Sequence, residues 1–203
     1  MIMTGEIELC FWNPKQGLPP GKERGVLYLL RRDLTELYGD EDRIPSQTHK
    51  APMLASIGMM TGLDLMSKLA TNELSGKRTI FKRFVETYGG LSPADAEAIY
   101  KLRCAQTHAY CLIDLDEKAN AEHCFVLIDD HPEHPLIQQL PTQERAGYRR
   151  ETYQINYWEL KRFFLKCVGS FESALRNPAA QPMNPFLTCF MLAMARIGKI
   201  EVS

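Results

Sequence analysis

The side chains best suited to chemistry lie in one short segment of the chain, from Arg103 to Tyr110. An arginine can hold a phosphate group through two parallel hydrogen bonds. A histidine, whose ordinary pKa lies near neutrality, can donate and accept a proton beside it. Arg103 would therefore stabilise charge on a phosphodiester, His108 would move the proton, and Tyr110 would orient either group. This chemistry needs no metal ion.

A helix from Ser92 to Ile113 must carry these residues. Ser92 suits the N-cap, Pro93 the first helical position, and Asp95 the third, which together form a capping pattern. Apolar residues then recur at helical spacing and predict one buried face. That face consists of Ile99, Leu102, Ala105, Ala109, Leu112 and Ile113.

Helical geometry limits how the three candidate side chains can meet. At ~100° per residue, Arg103 and His108 point roughly 140° apart, whereas Tyr110 lies nearly in line with Arg103. A single copy is therefore poorly arranged for catalysis, and an active site would have to form between two subunits. The competing interpretation is that Arg103 and His108 only make hydrogen bonds on the surface of a helix.

A metal site is a second chemical possibility in the same segment. Cys104, His108 and Cys111 share one helical face, and His123 or Cys124 could complete a set of four ligands. Structural zinc sites, however, usually place their cysteines as close pairs two to four residues apart, and that spacing is absent here. Buried cysteine is also a common small apolar residue. The sequence therefore predicts neither a metal nor another cofactor.

Two basic groups could supply contacts to the phosphates of RNA. The first consists of Lys77, Arg78, Lys82 and Arg83. The second consists of Arg145, Arg149 and Arg150, with Tyr148 and Tyr153 available for base stacking. Basic strips of this kind are more often simply solvated faces.

The overall composition is that of an ordinary globular protein. The chain has 203 residues, 45% of them hydrophobic and 24% charged, and its net charge of −1 excludes a bulk nucleic-acid coat protein. No apolar run is long enough for a membrane span, and residues 1–20 do not resemble a signal peptide. The six cysteines are therefore expected to be reduced thiols in a cytoplasmic protein.

Periodicity predicts a mainly α-helical domain over residues 1–203. Helices are predicted at Glu23–Tyr38, Pro52–Leu69, Lys77–Tyr88, Ser92–Ile113, Trp158–Leu175 and Phe186–Ile197. Strands at His123–Ile128 and Thr152–Trp158 are expected to form a small antiparallel hairpin, joined by a polar excursion with room for a short helix near Leu136–Leu140. In this scheme residues 1–22 form an N-terminal arm, 115–157 the hairpin with its excursion, and 177–203 a C-terminal helix.

The pattern Arg-x4-His-x-Tyr at Arg103, His108 and Tyr110 resembles the motif of the HEPN family. The similarity extends over about residues 24–176. It implies a helical bundle that forms a homodimer, with two motifs meeting at the interface, and metal-independent endoribonuclease activity as in many toxins and defence proteins. Cys104 departs from the family pattern, in which a polar residue often follows the motif arginine.

The resemblance also implies candidate partners and an alternative function. Tyr110 matches a tyrosine that, in one branch of the family, is modified by a nucleotidyltransferase that silences the nuclease. The predicted partners are therefore a second copy, RNA or a nucleotide, and an antitoxin or nucleotidyltransferase. Some relatives have lost activity, so the alternative is a non-catalytic dimer that binds a nucleotide or a protein partner.

Overall fold

The computed structural model describes residues 51–71, 77–128, 134–145 and 147–177, which contain four helices and five strands. The helices are α1 (Pro52–Thr71), α2 (Arg78–Gly89), α3 (Pro93–Ala109) and α4 (Tyr157–Arg176). The strands are β1 (Ile113–Asp116), β2 (Ala121–Ile128), β3 (Ile137–Gln139), β4 (Gln143–Arg145) and β5 (Tyr148–Asn156). The helices predicted at Glu23–Tyr38 and Phe186–Ile197, and the N-terminal arm, lie outside the described residues.

Local capping signals set the starts and ends of these helices. The Ser92 side chain accepts a hydrogen bond from the backbone N–H of Asp95, with Pro93 at the first helical position, as predicted for α3. Gly90 ends α2 in the left-handed conformation, with φ of 73°. Asn156 caps α4 by accepting hydrogen bonds from the N–H groups of Trp158 and Glu159. The four predicted helices within the described residues are therefore confirmed.

The C-terminal end of α3 differs from the prediction. Tyr110 adopts a left-handed conformation, with φ of 51°, and its N–H bonds to the carbonyl of Ala105, so the helix ends at Ala109 instead of Ile113. Ile113 begins β1, where its side chain is 45% exposed. The expectation that Ile113 belongs to the buried helical face is therefore wrong.

The sheet corrects the predicted fold class. Its strand order is β1-β2-β5-β3, with β4 also paired to β5, and β2 runs parallel to β5. Parallel strands need a long crossover, and residues 129–147 provide it while contributing β3 and β4 antiparallel to β5. The chain is thus an α/β fold with a mixed sheet, and a mainly α bundle with one antiparallel hairpin was the wrong expectation. The short helix considered near Leu136–Leu140 is strand β3.

One face of the sheet belongs to the same core as the helices. Phe125, Tyr153 and Ile155 alternate along β2 and β5 and are buried together with apolar residues of all four helices. On the opposite face, Val126 of β2 is 44% exposed. Within the described part of the chain, no helix is both long and apolar enough to cross a membrane.

A close approach between α2 and α4 depends on glycine. A Cβ atom at Gly89 would overlap the ring of Phe163 and lie 3.0 Å from Cys167 Sγ, and both side chains are buried. A Cβ at Gly169, in the exposed middle of α4, would meet nothing within 4 Å. Gly89 therefore tests the close packing of α2 against α4, and Gly169 is the matched control position.

We expect Gly89→Ala to lower the free energy of unfolding by about 1–3 kcal/mol through overpacking. Gly169→Ala should raise it by about 0.5–1 kcal/mol, because alanine loses less backbone entropy in a helix. Urea denaturation of both variants checks these values. Equal stability of the two variants would contradict the described packing of α2 against α4.

Candidate functional site

Arg103 lies in the buried contact between α3 and α1. Only 7% of the residue is exposed, and its Nη2 is 2.7 Å from Oδ1 of Asp64 on α1. The other carboxylate oxygen of Asp64 lies 2.5 Å from Nζ of Lys68. One carboxylate thus pairs with two cations between the two helices. Arg103 is a structural contact in this arrangement and not an open phosphate clamp.

A second polar contact joins the same two helices. Nε2 of Gln106 on α3 donates a hydrogen bond of 2.8 Å to Oγ of Ser56 on α1, and both residues are fully buried. Polar pairs in an otherwise apolar contact favour one alignment, because a shift would leave buried polar groups without partners. Together with the Asp64–Arg103 ion pair, this bond sets the register of α3 on α1.

His108 and Tyr110 lie just beyond Gln106, at the C-terminal end of α3. The backbone of His108 is in the last turn, and the structure does not describe its side chain. Tyr110 follows the helix, is 73% exposed, and lies about 10 Å from Arg103 along the axis at 1.5 Å per residue. Arg103 is therefore buried and Tyr110 is exposed to solvent, and the structure does not bring these two side chains together.

Tyr110 borders an apolar pocket of about 500 Å³. The pocket lies between the start of α1, the chain from Tyr110 to Ile113, the end of β2 and the start of α4, and none of the described residues that line it is charged. Polar groups in its wall already have partners, since Tyr157 donates its hydroxyl proton to the Pro52 carbonyl at 3.0 Å and the Cys111 thiol donates to the Ile113 carbonyl at 2.9 Å. The pocket therefore suits an apolar group.

Exposed apolar side chains lie beside this pocket. Tyr110, Ile113, Leu115 and Val126 are 73%, 45%, 64% and 44% exposed. Ile113 pairs with Cys124 and Leu115 with Glu122, which places them on the sheet face that carries Val126. We call these four side chains and the pocket the apolar edge. Clusters of this kind usually mark contact surfaces.

Sequence reasoning missed the apolar edge because it continued the helix to Ile113. A usable signal was present. Ile113 and Leu115 alternate with Asp114 and Asp116, which is the pattern of a short strand with two different faces.

Carboxylates pair with two cations of each basic group. Arg78 and Lys82 both pair with Glu97, at 2.6 and 3.0 Å. Burial works to raise the pKa of Glu97, but the hydrogen bonds from the two cations outweigh it and lower the pKa. In the second group, Arg149 pairs with Glu151 at 2.5 Å and Arg150 with Glu122 at 2.7 Å. Each of these four cations thus has a carboxylate partner within the protein, which weakens its attraction for a phosphate.

Cysteine and histidine do not assemble a metal site in the described part of the chain. No group of three or more His, Cys, Asp or Glu residues there could hold a metal ion. Cys104, Cys111, Cys124 and Cys167 are free thiols. Burial raises the pKa of the Cys167 thiol to about 12, so that thiol stays protonated in the core.

Comparison with protein-family models, with curated proteins and with solved structures gives no match to this chain. The HEPN resemblance therefore rests on the motif at Arg103, His108 and Tyr110, and it stays a prediction.

Loss of the buried ion pair should destabilise the protein. We expect Arg103→Ala to lower the free energy of unfolding by about 3 kcal/mol, because it leaves a buried carboxylate with one partner fewer. The double variant Asp64→Ala/Arg103→Ala should be more stable than the two single losses added together. Urea denaturation of the complete cycle measures this coupling. Strictly additive losses would show that the two side chains do not interact.

Proposed function

We propose that this protein is a non-catalytic binding module, and that its apolar edge docks a segment of a partner protein. The observation that carries the proposal is the 500 Å³ apolar pocket together with the exposed side chains beside it. One apolar side chain of the partner fills the pocket, while others cover Ile113 and Leu115. An anchor residue in a pocket, surrounded by apolar contacts, is the usual energetic centre of a protein interface.

The position of β1 supports an extended partner segment. β1 lies at the edge of the sheet, so its outer side can accept a further strand. Ile113 and Leu115 alternate with Asp114 and Asp116 along it. A matching segment would place apolar residues opposite the first pair and basic residues opposite the aspartates.

Charge disfavours pairing between the β1 strands of two copies. In the antiparallel register that sets Ile113 opposite Leu115 of the other copy, the two Asp114 residues face each other. Like charges directly opposite are destabilising in a sheet. Because this register is disfavoured, we propose that the partner is a different protein, such as an antitoxin or a nucleotidyltransferase. The predicted homodimer would need another contact surface.

Burial of Arg103 favours binding over phosphodiester cleavage as the function of this chain. A catalytic arginine must reach the phosphate, whereas the side chain of Arg103 is 9% exposed and paired with Asp64.

The predicted cytoplasmic location is part of the same proposal, and the free thiols of the described residues are consistent with a reducing compartment.

Peptide selection tests the binding proposal. A displayed library of random 12-residue peptides is selected on the wild-type protein, and the affinity of enriched peptides is measured by fluorescence anisotropy. Leu115→Lys should weaken binding at least about tenfold, because it places a charge in the apolar contact. Thr87→Lys adds the same charge at an exposed position of α2 and should change nothing.

Peptides that bind the Leu115→Lys variant as tightly as the wild type would overturn the proposal, as would a selection that enriches none. The remaining alternative is that the apolar edge binds a second copy of this chain. The mass of both proteins in solution, measured by light scattering, tests it. A wild-type dimer that Leu115→Lys converts to a monomer would show that the apolar edge binds a second copy instead.

Metal-independent RNA cleavage is the second candidate function. The observation in its favour is that His108 lies in the last turn of α3, two residues before the exposed Tyr110. A group that can transfer a proton and a ring that can stack on a base thus belong to the same helix end.

RNA cleavage in EDTA distinguishes the two functions. As a binding module, the wild type and His108→Ala should degrade a labelled oligoribonucleotide at the same background rate. A wild-type rate at least about 100-fold above that of His108→Ala would instead establish general acid–base catalysis. His134→Ala, which changes an exposed histidine, is the matched control.

A further inference from the structure

His123 lies in a buried charged cluster between the sheet and α3. The residue is 1% exposed, and its Nδ1 is 3.0 Å from Oε2 of Glu151, its neighbour in the parallel β2–β5 pair. From α3, Nζ of Lys101 reaches to 3.3 Å from the same ring nitrogen and 3.5 Å from the same carboxylate oxygen. The cluster thus ties the helix that precedes the apolar edge to two strands of the sheet.

The carboxylate fixes the proton of the imidazole ring. Glu151 can only accept, and its oxygen is closer to Nδ1 than the Lys101 ammonium is, at 3.0 against 3.3 Å. This favours the tautomer that donates from Nδ1 and leaves Nε2 as a bare acceptor. Within the described residues, Nε2 is buried and has no hydrogen-bond partner. A neutral ring tolerates this arrangement, whereas a protonated ring would bury an N–H without an acceptor.

Charges of both signs surround the ring. The groups that face His123 are Lys101 of α3, Glu151 and Tyr153 of β5, and Asp114 and Asp116 of β1. The carboxylates favour a second proton, but burial and the Lys101 ammonium oppose it and outweigh them. Glu151 already receives the hydroxyl of Tyr153 at 2.8 Å and the guanidinium of Arg149 at 2.5 Å. The second proton would go to Nε2, which has no acceptor among the described residues, and would place an imidazolium beside the Lys101 ammonium.

We propose that His123 is a pH-sensitive latch that holds α3 on the sheet when its ring is neutral and loosens that contact when the ring is protonated. Protonation forces the Lys101 ammonium and the imidazolium apart, and Lys101 is the residue of α3 in this cluster. The latch does not depend on the proposed binding function.

The direction of the pH effect follows from linkage. Burial, followed by the charge of Lys101, lowers the pKa of His123 below its ordinary value of 6.5. The unfolded chain therefore takes up this proton first, so the stabilising contribution is complete above pH 6.5 and is lost as the pH falls below it. The pKa of Glu151 is also lowered, since the bond from Tyr153 and nearby cations outweigh burial, so its loss begins only in more acidic solution.

Unfolding in urea at pH 7.5 and 5.5 tests the latch. When the pH is lowered from 7.5 to 5.5, the unfolding equilibrium constant of the wild type should rise by a factor at least about three times that of His123→Gln. His134→Gln, at an exposed position, should behave as the wild type. Hydrogen exchange should show faster opening of the α3 amides at pH 5.5 in the wild type only. Equal pH dependence in all three proteins would overturn the proposal.

An NMR titration of the imidazole rings keeps the test independent of whether His123→Gln folds. In the wild type, His123 should carry its proton on Nδ1 and gain the second below pH 6.5. Lys101→Met should raise its midpoint and Asp114→Asn should lower it, because these charges act in opposite directions. A midpoint at or above 6.5, or one that neither variant moves, would contradict the latch.

Discussion

The buried ion pair between Arg103 and Asp64 is the interaction on which the rest of the structure depends. A charge inside a protein is tolerated only when a partner of opposite sign compensates it, and removal of either partner is costly. The pair therefore restricts α3 to one register on α1, and the Ser56–Gln106 hydrogen bond supports the same register. The two helices joined by this contact pack within the main core, in which the other two helices also lie.

On its other side, α3 is tied to the sheet by Lys101. Because α3 has contacts on two sides, the position of its C-terminal end is fixed. There the left-handed Tyr110 turns the chain directly into β1, and the exposed side chains and the pocket come together at the edge of the sheet. The apolar edge thus lies at the end of a helix that has contacts on two sides.

Features that depend on neighbouring residues could be predicted from the sequence. The start of α3 follows from Ser92, Pro93 and Asp95, and the end of α2 from the glycines after Tyr88. The existence of β2 and β5 could also be predicted, because each contains a β-favouring run. Their parallel direction could not, because no local pattern specifies which way β5 runs beside β2.

The burial of Arg103 and its ion pair could not be predicted from the sequence either. Its partner, Asp64, lies 39 residues earlier, within a helix of small and apolar residues, where no local pattern marks it as an ion-pair partner. The sequence of α3 alone shows no partner for this arginine, and a phosphate-binding role was therefore predicted for it. Only the packing of α1 against α3 decides that its charge is already compensated.

The most direct test of this account is NMR spectroscopy of the Arg103 guanidinium group, assigned by comparison with Arg103→Lys. A buried ion pair predicts resolved side-chain N–H signals that exchange slowly with water and do not shift when inorganic phosphate or an oligoribonucleotide is added. Rapidly exchanging signals that shift on addition of either ligand would contradict the account, because Arg103 would then be an open phosphate-binding group.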